Sequence, residues 1–305
     1  MEDVLERGDL ILRRDVEEFE QNLARYVGSK YAVGVASGTD ALILSLKVLR
    51  IGKGDEVLVP SYTFRATVEA VHHVGAKPVL YDLDRKVRHL RTDRTRAVIP
   101  AHIAGEVLFP YEAEGLIMIE DACQAIGAAA IRGKTACYSF YPAKLLGCFG
   151  DGGGIATNDK DLYEELLVMR NHYKGRWDKF GYNSRLDNLQ AAVLNVKIRH
   201  LPAAIERRRE IARYYDDTLE GVGRDRVRDV YQDYIITTPN PESLQSFLKE
   251  RGVETMLNGY PFPEETPKGP LTLAYEAVSL RIPCNENISD EEVEYVADCI
   301  NDYTS

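Results

Sequence analysis

Leu116-Ile117-Met118-Ile119-Glu120-Asp121-Ala122-Cys123-Gln124 is an apolar run that ends on two acids and a small residue. Its apolar residues follow one another without alternation, so neither side of the segment faces water. That is the pattern of a strand in a parallel sheet covered by helices on both faces. Val57-Leu58-Val59 reads the same way. Seven short apolar runs, several of them continuous in this way, are spaced along the first half of the chain, mostly separated by helical or turn segments. They are Tyr31–Ser37, Glu56–Ser61, Pro78–Asp82, Ala97–Pro100, Leu116–Glu120, Ala136–Phe140 and Gly154–Thr157.

Helices fill the intervals. Residues 14–28 place Phe19, Leu23 and Tyr26 on one face, and Gly28 offers a stop. Residues 39–50 and 65–74 read as two of the covering helices. After Asn158 the pattern is helical, with a long stretch from Leu186 to Leu219 in which Pro202 ends one helix and starts the next. A strand-like run (Tyr231–Thr238), a helix (Pro241–Arg251, closed by Gly252) and a last helix from Ser289 complete the chain. Ser289 and Glu292 make a capping box there. The expectation is an α/β protein with a seven-stranded, mostly parallel sheet in a large unit of residues 1–205. A smaller α+β unit is expected over 206–305. At 305 residues the chain is long enough for both lobes, and it has no internal repeat.

Composition excludes several functions. The formal net charge is −10, which argues against a broad nucleic-acid surface. The run Glu206-Arg207-Arg208-Arg209-Glu210 reads as a solvated helix face. Cys123, Cys137, Cys148, Cys284 and Cys299 are odd in number and form no CxxC pair, as expected of reduced thiols in a cytoplasmic protein without a disulfide framework or a metal site. Met1-Glu2-Asp3-Val4-Leu5-Glu6 lacks an apolar signal core, and no apolar stretch is long enough to span a bilayer.

Ligands of open α/β sheets bind at the carboxyl ends of strands, and the chemically suggestive residues fall there. Ser37-Gly38-Thr39 closes the first strand and opens a helix, either as an anion site or as a plain N-cap. Ser61-Tyr62-Thr63-Phe64 follows the second strand with an aromatic that either stacks on a planar ring or joins the core. Asp121 closes the fifth. Lys144 follows the sixth in Tyr138-Ser139-Phe140-Tyr141-Pro142-Ala143-Lys144, flanked by apolar and small residues that would lower its pKa. Gly150-Asp151-Gly152-Gly153-Gly154 precedes a strand and lacks the Lys-Ser/Thr of a phosphate loop, so it reads as a turn against another backbone. A lysine, a strand-end acid and small-residue turns are the parts needed to hold pyridoxal phosphate. The lysine bonds to the aldehyde, the acid pairs with the protonated pyridine nitrogen, and turn amides bind the phosphate.

These segments, with Gly181-Tyr182-Asn183-Ser184-Arg185-Leu186-Asp187-Asn188-Leu189-Gln190-Ala191-Ala192, stand in the order found in the DegT/DnrJ/EryC1/StrS aminotransferases, which the chain resembles from about Phe19 to Leu219 and again at Ser279–Ile300. The resemblance implies a fold type I pyridoxal-phosphate enzyme that transfers an amino group from an amino acid, expected to be L-glutamate, to a keto group of a nucleotide-linked sugar. It makes Lys144 the Schiff-base lysine and proton shuttle. Asp121 becomes the partner of the pyridine nitrogen, Gln124 a contact on the ring-hydroxyl side, and Phe64 the residue stacked on the ring. Gly38, Thr39 and Ser139 would hold the phosphate. Asn183 would reach the phosphate of the neighbouring subunit's cofactor, which implies a homodimer with shared sites. Arg185 would meet a donor carboxylate or sugar phosphate. His102, in Pro100-Ala101-His102-Ile103-Ala104-Gly105, matches a family histidine near the site, although a strand-end histidine is also an ordinary packing residue.

The chain departs from the pattern in places. The stretch from His102 to Asp121 has little room for the customary helix, the segment around Arg85–Arg96 is short, and few residues precede the first helix. Gly259-Tyr260-Pro261-Phe262-Pro263 is followed by Glu264-Glu265-Thr266, where the family often has Leu-His and a longer sugar-contacting loop. The alternatives are a cofactor-dependent sugar dehydratase, whose members typically lack the lysine present here, and a regulatory protein that keeps the fold without turnover.

Overall fold

The computed structural model describes residues 1–176, 178–224, 228–263 and 265–305. Helix α1 (Glu2–Arg7) and helix α2 (Arg14–Val27) precede the sheet, and Gly28 closes α2 in the left-handed conformation with φ 70°. Strand β1 (Tyr31–Val35) leads through the Ser37 cap into α3 (Gly38–Val48). Then follow β2 (Glu56–Pro60), α4 (Arg65–His73), β3 (Lys77–Tyr81), β4 (Thr95–Val98), β5 (Ile117–Asp121), β6 (Thr135–Ser139) and β7 (Gly153–Thr157). All seven expected strands are present. They form one sheet in the order β1-β7-β6-β5-β4-β2-β3, in which only β7 runs against its neighbours.

Side chains alternate across a strand, and the alternation shows why the runs are apolar throughout. Ala32, Ala136, Tyr138 and Ala156 pack on one face with Phe19 and Leu23 of α2. Val33, Cys137, Ile155 and Ile119 pack on the other with Leu42, Leu44 and Leu46 of α3 and Val68 and Val71 of α4. Helix α5 (Lys160–Met169) joins the second face through Leu166 and Met169. Helices α6 (Asn188–Lys197) and α7 (Leu201–Thr218) join the first through Leu194, Leu201 and Ile205.

A second sheet takes up the rest of the chain. Strands β8 (Gly223–Arg224) and β9 (Tyr234–Thr237) precede α8 (Pro241–Glu250), β10 (Met256–Leu257), α9 (Pro270–Glu276), β11 (Ser279–Ile282) and α10 (Asp290–Thr304). The strand order is β10-β11-β9-β8, all antiparallel. The Ser289–Glu292 capping box opens α10 as its sequence requires. The expected division at residues 205 and 206 falls inside α7, whose Ile205 packs on the first sheet and whose Ile211 and Tyr215 pack on the second. Glu264, in the segment that departs from the family pattern, lies outside the described residues.

The two shortened crossovers hold no α-helix. Between β3 and β4 there is a single 3-10 turn at Arg88–Leu90, and between β4 and β5 one at Ile103–Gly105.

Strand β7 brings the glycine-rich segment against the start of α3. Gly153 stands opposite Val35 on one side and Ser139 on the other. A Cβ there would fall on the carbonyl oxygen of Ser37 and lie 2.8 Å from the nitrogen of Gly38. Both obstacles are backbone, so Gly153→Ala is expected to cost about 1–3 kcal/mol of stability, as overpacking does. Urea denaturation compared with wild type checks this, and an unchanged midpoint would show that the approach relaxes freely.

Candidate active site

The carboxyl ends of β1, β2, β5 and β6 converge on the α3/α4 face of the sheet. At β1 the chain turns at Ser37, whose Oγ accepts from the Asp40 N–H at 3.1 Å while its carbonyl accepts from Ala41 N–H at 3.0 Å. Nothing among the described residues accepts from the N–H groups of Gly38 or Thr39, the first residues of α3. They are donors left free at the positive end of an 11-residue helix. A Cβ on Gly38 would lie 2.8 Å from both Cys123 Sγ and Ser139 Cβ, so the corner closes only with glycine at 38 and a small residue at 139. The Ser139 hydroxyl lies in this corner and accepts weakly from Tyr141 N–H at 3.4 Å. Ser184 fastens the 181–187 segment here, donating to Asp40 Oδ2 at 2.6 Å and accepting from Ala36 N–H at 3.2 Å.

Asp121 ends β5 and is 7% exposed. Register puts it beside Cys137, on the α3/α4 face. Its Oδ2 accepts from Thr67 Oγ1 at 2.7 Å and its Oδ1 from the Cys123 N–H at 3.2 Å. No lysine, arginine or histidine among the described residues pairs with this carboxylate, although a buried anion ordinarily has a cationic partner. Burial, and then the Asp121 charge, push the Cys123 thiol well up, while the Lys144 charge acts on the same thiol in the opposite sense. Cys123 thus lies within the fields of both ionic groups.

Lys144 closes a turn in which its N–H donates to the Tyr141 carbonyl at 2.9 Å. The residue is half-buried, and its ammonium makes no ion pair or hydrogen bond among the described residues. Gln124 is held at both ends: Oε1 accepts from Ala104 N–H at 2.8 Å and Nε2 donates to Tyr260 OH at 3.2 Å. Phe64, at the start of α4, is 51% exposed, with its ring edge-on to Tyr260 at 5.9 Å. The geometry therefore gathers Gly38, Thr39, Ser139, Asp121, Gln124, Phe64 and Lys144 at one end of the sheet.

His102 stands apart from that group. His102 is buried on the opposite face, because Glu120 and Asp121 point to opposite sides of β5. Its Nδ1 accepts from Leu108 N–H at 3.1 Å, which leaves the ring proton on Nε2, 3.1 Å from Glu120 Oε2. Both ring nitrogens are thereby spent on packing a loop, and the structure gives His102 no path to the group around Lys144. Arg185 is half-buried and donates to Asn171 Oδ1 at 3.1 Å. Asn183 is exposed, and its side chain has no hydrogen bond within the chain among the described residues. It does not cap the following helix, because Asp187 occupies that position.

Several residues at this site escaped the sequence reading. Thr67 holds Asp121, and the only signal was its place four residues after Thr63, with which it shares a 2.7 Å hydroxyl contact. Tyr260 carries the Arg281 guanidinium over its ring at 4.7 Å, and Arg281 Nε donates to Asn258 Oδ1 at 2.9 Å. These contacts come from the second sheet, so nothing local in the sequence announced them.

The Glu120–His102 pair generates a pH prediction. Burial acts to raise the Glu120 pKa, but hydrogen bonds from His102 and from the amides of Gly133 and Arg132 outweigh it and hold the carboxyl below the ordinary range. A depressed folded pKa means stability that is present above the unfolded value, about 4.3 for glutamate, and lost as pH falls through the folded one. Glu120→Gln is expected to cost about 1–3 kcal/mol at neutral pH, and the gap to wild type should narrow below about pH 4. Thermal melts across that range measure it. A gap that persists unchanged into acid would show that the charge is not what binds the loop.

Comparison with known proteins places the chain in a family. The profile of the DegT/DnrJ/EryC1/StrS aminotransferase family matches residues 1–301. A UDP-2-acetamido-2-deoxy-3-oxo-D-glucuronate aminotransferase of Pseudomonas aeruginosa is 39% identical, over 85% of this chain and 80% of its own. A pleiotropic regulatory protein of Geobacillus stearothermophilus is 35% identical, over 99% of this chain and 93% of its own. The crystal structure of S. venezuelae DesV in complex with a ketimine intermediate superposes with a TM-score of 0.91 at 35% identity, covering 99% of this chain and 92% of that one. The fold is that of the fold type I pyridoxal-phosphate enzymes. The chain belongs to the DegT/DnrJ/EryC1/StrS aminotransferase family.

Proposed function

We propose that this protein is a pyridoxal-phosphate-dependent aminotransferase that moves an amino group from an amino acid, with L-glutamate the expected donor, to a keto group of a nucleotide-linked sugar. One observation carries the reading: a buried carboxylate without a cationic partner among the described residues, bonded to the Cys123 N–H, stands beside a helix start with free amides, and the turn after the neighbouring strand carries an unpaired, half-buried lysine. The residues present fit the cofactor. Asp121 lacks the cation that a protonated pyridine nitrogen is, and the Gly38–Ser139 corner has donors for a phosphate and no room for a larger side chain.

When bound, pyridoxal phosphate supplies an aldehyde that links to amines and a ring that withdraws electrons from the carbon being deprotonated. The chain supplies the rest. The Gly38 and Thr39 amides and the Ser139 hydroxyl would hold the phosphate at the positive end of α3. Asp121, oriented by Thr67, would keep the proton on the ring nitrogen, with Gln124 toward the ring hydroxyl. Phe64 would cover one face of the ring. Lys144 Nζ takes the proton from the donor's Cα and, in the second half of the cycle, returns one to the sugar carbon. Arg185 is the candidate contact for a donor carboxylate or a sugar phosphate.

We further infer a homodimer with shared sites. Asn183 extends from a segment that Ser184 fastens to the first turn of α3, yet its own side chain has no partner within the chain among the described residues. Phe180 and Phe149 are also exposed, at 101% and 69%, as befits a face awaiting a partner. A cytoplasmic setting accords with five free cysteines, and no helix among the described residues is long and apolar enough to cross a membrane.

Borohydride treatment of the holoprotein should fix a pyridoxyl group on Lys144, Lys144→Ala should abolish transamination, and added glutamate should shift the absorbance of the wild-type cofactor. Label on another lysine would refute the assignment, and a cofactor spectrum indifferent to every amino donor would favour the regulatory reading.

Subunit mixing tests the dimer. Lys144→Ala and Asn183→Trp should each be impaired as homodimers. Exchanged together they should recover activity, because a mixed dimer holds one site with both native residues. Absence of complementation despite demonstrated exchange would count against a shared site.

A further inference from the structure

Gln232 reaches the Lys144 turn from the segment that enters β9. Its Nε2 donates to the Ala143 carbonyl at 2.9 Å and its Oε1 accepts from the Leu145 N–H at 3.1 Å. The two backbone groups lie immediately before and after Lys144, so one amide brackets the lysine. On the near side of the lysine the turn is open. Tyr141, Pro142 and Ala143 are exposed, and the Lys144 N–H has only its local bond to Tyr141. A cavity of about 310 Å³ adjoins this side, lined among others by Ala143, Arg208, Gln232 and Arg281, whereas Leu145 and Leu146 on the far side are buried in the core.

The amide is itself anchored. Buried Arg208 of α7 donates to the carbonyls of Tyr231 at 2.8 Å and Gln232 at 3.2 Å and pairs with Glu286 at 2.7 Å. The chain Glu286–Arg208–Gln232 thereby ties the lysine's turn, which belongs to the first sheet, to the framework of the second.

We propose that Gln232 is a positioning residue for Lys144: it fixes the backbone on both sides of the lysine so that Nζ stands where a proton must be taken and returned. The proposal rests on the reading of Lys144 as the cofactor lysine. Gln232 acts through the turn, and its chemistry suits the task because a carboxamide offers one donor and one acceptor to a carbonyl and an N–H.

Two variants test it. Gln232→Leu removes both bonds at similar size, and Gln232→Glu keeps the acceptor while placing an oxygen against the Ala143 carbonyl. In the cofactor-free protein, amide exchange at Leu145 should accelerate about tenfold in Gln232→Leu, with the sheet amides of Val33 and Ile155 unchanged. In the holoprotein, kcat should fall roughly tenfold in both variants with the donor KM little altered, and the pH midpoint of the lysine–cofactor absorbance should move. Acceleration of the sheet amides along with Leu145 would overturn the proposal in favour of general stabilisation. So would faster exchange at Leu145 with kcat and the pH midpoint unmoved. If Gln232→Leu does not fold, Gln232→Glu decides alone, and a wild-type kcat and midpoint in it would overturn the proposal. Failure of the underlying functional reading shows separately, as borohydride labelling of a lysine other than Lys144 in the wild type.

Discussion

The approach of Gly153 to the Ser37 carbonyl is the constraint on which the site depends. It exists because β7 runs antiparallel between β1 and β6, so its first residue faces the last residues of both neighbours. Without that reversed strand, the helix start at Gly38 and the hydroxyl of Ser139 would not share a corner. The contact is backbone on backbone, which is why the sequence there is glycine and not merely small. The free amides of α3 and the turn carrying Lys144 are thus placed by one strand pairing, before any side chain acts.

The buried charge of Asp121 is a cost that the chain itself offsets only in part. A carboxylate away from water is destabilising unless it is paired or well hydrogen-bonded. Asp121 receives one hydroxyl and one amide, from Thr67 and Cys123, and no cation among the described residues. Glu120, one residue earlier and on the other face, shows the contrast: it receives two amides and the His102 ring and is satisfied by the chain alone. Adjacent acids on one strand therefore do different work. The satisfied one holds a loop, and the one with acceptor capacity to spare faces the site.

Much of this was legible in the sequence, for a physical reason. A strand covered on both faces tends to be apolar on both sides, and several strands of the first sheet, β2 and β5 among them, showed that signature. Strand ends then located Asp121, Ser139 and Lys144. The second sheet was hard to read because β8 and β10 are two residues each and exposed, and β11 carries Arg281 in its middle. His102 misled because its side depends on where Glu120 and Leu108 lie, and both are set by the fold. The contacts of Gln124 with Tyr260, of the backbone flanking Lys144 with Gln232 and of Asp121 with Thr67 are likewise between elements that no local spacing encodes.

The shortened crossovers follow the same division of faces. Val87, Ala113 and Leu116, from the segments that lack helices, pack with Leu58, Val98 and Met118. Met118 shares the parity of Glu120, so this small core lies on the face away from Asp121. Short loops suffice there because a few apolar residues and the His102–Glu120 bonds cover what a helix otherwise would. The face that carries the chemistry keeps its full helices, α3, α4 and α5. The chain has therefore been trimmed where the sheet needed only a cover, and the elements that set the position of Lys144 and Asp121 are intact.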